Sequence, residues 1–128
     1  MLRQHVGTRV FDAYCSAQEY WSLVRYGVET AGLNERTVEN ALDMELERLG
    51  AANEARLLQE LEGALGRFTG ADRKLDKKDR VDALQLVCRA RPGFRCGLKP
   101  GVAEAAIDAY CRANAIKVKT GLFSWGVP

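Results

Sequence analysis

The sequence predicts an all-α fold, a compact bundle of about five helices with an irregular or strand-like C-terminal tail. Three observations carry this expectation. Apolar residues recur in steps of three and four through most of the chain. Glycine, asparagine, aspartate or proline stands where each such run begins or ends. The alternation Ile116, Lys117, Val118, Lys119 then breaks the helical period near the end.

The first run is Val10, Tyr14, Ala17, Trp21, Val24, Val28 and Ala31, with Phe11 beside it. It predicts one apolar stripe along a helix of about 24 residues, stopped by Gly32. Asn34 suits the N-cap of a second helix, whose face reads Val38, Leu42, Leu46, Leu49 and which Gly50 ends. Asn53 caps a third with Leu57, Leu58, Leu61, Leu65 and Phe68 on one side. A fourth spans about Lys77 to Ala90, with Asp76 as cap and Val81, Leu84, Val87 and Cys88 inward; Pro92 and Gly93 break it. Pro100 opens the fifth, since a missing amide hydrogen costs nothing at a first helical position. That helix carries Ala103, Ala106, Ile107, Tyr110 and Cys111 to about Asn114. FDAYCSA at 11–17 echoes IDAYCRA at 107–113, which reads as two helices with similar core chemistry.

The 128 residues are read as a single domain, 1–128, burying roughly 68% of the unfolded surface. A hydrophobic fraction of 47% with 28% charged residues excludes a disordered or membrane-embedded chain. With no leader and no long apolar run, a cytoplasmic protein without membrane contact is expected. Cys15, Cys88, Cys96 and Cys111 never form a C-x-x-C pair, so no zinc site is expected; Cys96 alone reads as exposed.

Charge is unevenly placed. Residues 35–62 hold eight acids against three arginines, a net of −5, and residues 89–119 hold seven cations against two acids, a net of +5. The two regions can attract each other within one molecule or between copies.

The stretch FTGADRKLDKKDRVDAL, 68–84, has the outline of a calcium loop. With Leu75 in the hydrophobic place and Asp79 in the closing one, the first ligand position falls on Phe68 and the glycine position on Arg73. Lys74, Lys77, Lys78 and Arg80 add positive charge, so no metal and no cofactor is expected. Within this stretch, GADRKLDKKD resembles the A-D-G-x-[IV]-x-x-x-E turn of tellurite-resistance TerB-like domains. The resemblance covers residues 57–115 and departs from the pattern at Arg73 and Asp79. It implies paired helices in a degenerate EF-hand arrangement, and a metal-associated or scaffolding module; the carboxylates that would carry the metal part are absent.

Catalysis finds little to work with. His5 is the one histidine, no nucleophile-elbow, P-loop or dinucleotide fingerprint is present, and acid pairs such as Glu45 and Glu47 point to different helix faces. The expected function is therefore non-catalytic: a protein-interaction domain, adaptor or scaffold, able to self-associate. Its candidate partner-binding residues are Leu122, Phe123 and Trp125 in the tail, with Tyr20 and Tyr26, which lie off the first helical stripe. The alternative is nucleic-acid binding by Arg89, Arg91, Arg95, Lys99, Arg112, Lys117 and Lys119, cations interleaved with Phe94, Phe123 and Trp125.

Overall fold

Ser16 opens the first helix, and it does so by local chemistry. Its side-chain oxygen accepts from the Glu19 amide at 3.1 Å while its hydroxyl donates to the Glu19 carboxylate at 3.0 Å, the behaviour of an S-x-x-E capping sequence. The computed structural model describes residues 13–119 and 124–128. It is mostly helical: α1 (Ala17–Ala31), α2 (Glu35–Leu49), α3 (Glu54–Thr69), α4 (Lys77–Cys88) and α5 (Pro100–Ala113). Among the described residues five short strands stand before, between and after them: β1 (Tyr14–Cys15), β2 (Ala52–Asn53), β3 (Lys74–Leu75), β4 (Lys117–Lys119) and β5 (Trp125–Gly126).

Most helix boundaries fall where capping chemistry puts them. Asn34 accepts from the Thr37 amide at 2.8 Å, Asn53 from the Arg56 amide at 3.3 Å and Asp76 from the Asp79 amide at 2.8 Å. Gly32 and Gly50 end α1 and α2 in the left-handed conformation. The first helix is the exception. Tyr14 and Cys15 form a strand, not a helical turn, because they pair in parallel with Ala52 and Asn53; Val10 and Phe11 lie outside the described residues.

The chain groups into two compact units, the first comprising the described residues up to Arg56 with Ala90–Gly97, the second Leu57–Arg89 with those from Leu98 onward. In the first, α1 and α2 pack through Tyr20, Leu23, Val24 and Gly27 against Val38, Leu42 and Leu46, with Cys15, Ala51 and Ala55 completing the core. Full burial of Leu42 and Leu46 stabilises by about 1.5–3 kcal/mol each. Gly27 permits the close approach: a Cβ there would lie 2.6 Å from a Val38 methyl. Gly50 is needed twice over, for its φ of +65° and because a Cβ would lie 2.6 Å from the Gly93 carbonyl oxygen.

The stripe on α1 is thus turned by one residue from the one expected. Tyr20 is 0% exposed and Trp21 is 40% exposed. On α4 a similar turn occurs: Ala83 and Val87 are buried, and Val81 is 50% exposed.

In the second unit α4 and α5 pack together, and Leu61, Ala64, Leu65, Leu75, Leu98, Ala103, Ile107, Cys111 and Ile116 are buried. β3 pairs in parallel with β4, Lys74 opposite Lys117, and β4 pairs antiparallel with β5, Lys119 opposite Trp125.

The two units share a design that no motif announces. Each runs strand, helix, helix, strand, and in each the two strands pair in parallel. A left-handed residue precedes the first strand, Ala13 (φ 62°) and Arg73 (φ 56°), and its carbonyl accepts from the opening amide of the second strand, Ala52 at 2.8 Å and Lys117 at 2.9 Å. The helix before that second strand ends in the same way, with the Ala51 amide on the Leu46 carbonyl at 3.0 Å and the Ile116 amide on the Cys111 carbonyl at 2.8 Å. Offsets are 60 residues up to the first helix (13 to 73, 16 to 76) and 65 from the second (51 to 116, 46 to 111). The echo between FDAYCSA and IDAYCRA is a different matter: Tyr14–Cys15 is strand, and the second copy lies in α5. Among the described residues, no helix is long and apolar enough to cross a membrane.

Candidate functional site

Each unit holds an acid pair one helical turn apart, closed by an arginine. In the first, Arg56 donates through Nε to Asp43 at 3.0 Å and through a terminal nitrogen to Glu39 at 2.8 Å, and it also donates to the Tyr20 hydroxyl at 3.0 Å. Tyr20 donates in turn to Asp43 at 2.6 Å, Asn53 donates to the same carboxylate at 3.0 Å, and the Arg56 guanidinium lies 5.4 Å from the Tyr20 ring centroid. Burial, reinforced by Asp43, pushes the Tyr20 phenol well above the usual tyrosine range. In the second unit Arg80 bridges Glu104 and, at 3.1 Å, Asp108. These clusters are hydrogen-bond networks that tie their helices together.

A trough along α5 in the second unit is open. Its apolar end, with a cavity volume of about 370 Å³, is bounded by Leu58, Leu61 and Leu65 of α3 facing Ala106, Ala109 and Tyr110 of α5. Its polar end, about 420 Å³, is bounded by Thr69, Gly70, Arg73 and Asn114. Tyr110, Ala113 and Asn114 line both, so the two cavities are neighbours along α5. Leu58, Ala106 and Tyr110 are half-buried and Ala109 is exposed, which leaves apolar surface wet. Glu62 stands at the apolar end and Arg73 at the polar end.

The small sheet of the second unit has two unlike faces. Leu75 and Val118 are buried and half-buried on one. On the other, Lys74, Lys117 and Lys119 are exposed beside half-buried Trp125, and the Lys74 ammonium lies 5.1 Å from the Trp125 ring centroid.

The candidate residues meet different fates. Tyr20 is buried inside the first unit, its hydroxyl held by Asp43 and Arg56. Tyr26 is half-buried, and Leu122 and Phe123 lie outside the described residues. Trp125 is in β5, paired with the chain's own β4. Of the seven cations, Arg91 and Arg95 belong to the first unit and Arg89, Lys99, Arg112, Lys117 and Lys119 to the second. Ala109, central to the trough, is not singled out by pattern, and Lys74 reads only as a charge that repels a cation; Ala106 and Tyr110 read as core.

The loop before α4 uses its carboxylates on backbone. Asp72 accepts from the Lys74 amide at 3.1 Å and Asp76 caps the helix. Among the described residues, no three His, Cys, Asp or Glu side chains gather to hold a metal ion. All four cysteines are free thiols; Cys96 and Cys88 are both half-buried, and Cys96 donates to the Ala13 carbonyl at 3.6 Å. Burial raises the Cys88 and Cys111 thiols, with the Glu104 charge adding to the effect at Cys88. Set beside known proteins, the sequence matches no family model, and the chain finds no match among curated proteins or solved structures.

Proposed function

We propose that this chain is a non-catalytic interaction module, an adaptor or scaffold, whose trough between α3 and α5 receives an apolar segment of a partner protein. The adjacency of the two cavities along α5 carries the reading. Its lining is mostly leucine and alanine, with Glu62 beside the apolar cavity and Arg73 beside the polar one. A complementary segment carries large apolar side chains between a basic and an acidic residue, so that burial supplies affinity and the two charges set direction.

Thiol chemistry points the same way, since raised pKa values at Cys88 and Cys111 are the reverse of what a nucleophile needs. Self-association by attraction between acidic and basic regions has less support. Glu39 and Asp43 are paired with Arg56, and Glu45 with Arg48 at 2.5 Å, so these three acids already have cations within the chain.

Panning a displayed peptide library against the chain tests the reading. The enriched peptides should carry apolar side chains flanked by one basic and one acidic residue, and Ala109→Trp, which fills the trough from an exposed position, should abolish their binding without lowering the unfolding midpoint. Peptides of unrelated character, or peptides that bind the Ala109→Trp chain equally well, contradict it.

A further inference from the structure

We infer that the outer face of the three-stranded sheet binds the phosphate backbone of single-stranded nucleic acid, with Trp125 as the stacking surface for a base. The register makes this face. Lys74 stands opposite Lys117, Lys119 lies two residues along the same strand, and Trp125 stands opposite Lys119. A slip of one residue would turn the lysines inward and expose Leu75, so burial of Leu75 holds the face outward. Neighbouring positions on such a sheet are roughly 5–7 Å apart, which lets consecutive phosphates of a flexible strand each meet an ammonium group.

Charge decides what the face takes. From Ala109 to Pro128 the sequence has no acidic residue. The acids that flank Lys74, Asp72 and Asp76, are each engaged by a backbone amide. The face is therefore a cationic surface whose own strands carry no acid. An indole set among the cations adds what a purely anionic protein partner would not use: a flat aromatic surface, which accepts any base by stacking. A duplex is disfavoured, because strands of two and three residues are too short to fill a groove. This site is narrower than the seven cations of the C-terminal third: it keeps Lys117 and Lys119, adds Lys74, and is separate from the trough along α5.

The test is fluorescence anisotropy of a labelled oligo-dT of about twelve nucleotides at about 50 mM salt. Three phosphate contacts predict a slope of log K against log salt near −2. Lys117→Gln with Lys119→Gln should weaken binding about tenfold or more, and Trp125→Ala should weaken it about tenfold while Trp125→Phe keeps most of it. In a Trp21→Phe background, binding should quench the Trp125 emission. Ala109→Trp should leave the affinity and its salt dependence unchanged, which separates the site from the trough. Absence of binding overturns the inference, as does binding indifferent to the lysine substitutions. Polyglutamate that binds as tightly and leaves Trp125 emission untouched would assign the face to an acidic protein instead.

Discussion

Tyr20 donates its hydroxyl proton to Asp43 across 2.6 Å, and the corresponding positions in the second unit, 60 and 65 residues on (20 to 80, 43 to 108), hold Arg80 and Asp108 in an ion pair at 3.1 Å. One design closes its acid pair with a phenol helped by Arg56, the other with an arginine alone. The difference has a measurable signature in alkali. The folded phenol titrates above the unfolded one, so between the two the folded state holds more protons, and stability falls as pH rises past about 10. The contribution of neutral Tyr20 is complete below that pH. Urea midpoints taken at pH 9 and pH 11 should drop less in Tyr20→Phe than in the parent chain; equal drops would show that Tyr20 does not hold its proton more tightly when folded.

Arg56 faces two carboxylates and a phenol, and its side chain is about two-thirds covered. Arg56→Met leaves Glu39 and Asp43 facing each other one helical turn apart with Asn53 and Tyr20 as donors to Asp43 alone. A loss of about 1–2 kcal/mol is expected by denaturant unfolding. Arg80→Met should cost a similar amount in the second unit, and the two losses should add, because the two arginines bind different carboxylates.

Gly50 and Ala115 occupy equivalent left-handed positions, with φ of +65° and +53°. Opposite outcomes follow from reciprocal substitutions. Gly50→Ala meets both backbone strain and the Gly93 carbonyl, and should destabilise by about 1–3 kcal/mol. Ala115→Gly relieves strain and should stabilise by up to about 1 kcal/mol, less the entropy that glycine adds to the unfolded chain. Thermal melts of the two variants check both signs.

Ser16 caps α1 immediately after a two-residue strand. Ser16→Ala should lower stability by about 1 kcal/mol and Ser16→Asp should retain it, as judged by urea unfolding followed at the helical circular-dichroism signal.

Helix ends were legible in the sequence because their causes are local. Asn34, Asn53, Asp76 and Pro100 act on amides within one turn, and Gly32 and Gly50 need only their own φ. The start of α1 was misread because the fate of Tyr14 depends on Ala52, which periodicity cannot see, although S-x-x-E at 16–19 marked the true boundary. The phase of α1 was ambiguous: Tyr20, Leu23, Val24 and Gly27 satisfy a helical spacing as well as the stripe through Trp21 does, and the contact of Gly27 with Val38 decides between them. The shared design of the two units stayed hidden because the connection between the paired helices is longer in the second, so that the offset changes from 60 to 65 residues, and because shared positions keep their role more often than their residue. The trough was invisible for a related reason. Leu58, Ala106 and Tyr110 follow the core period, yet packing leaves them partly uncovered.

Chemical-shift mapping by 1H–15N NMR, titrating a peptide with an apolar centre between one basic and one acidic residue, tests the docking account most directly. Shifts concentrated at Leu58, Leu61, Ala106, Ala109 and Ala113, and lost in Ala109→Trp, are the predicted result. Shifts confined to the first unit, or unchanged by Ala109→Trp, would contradict it.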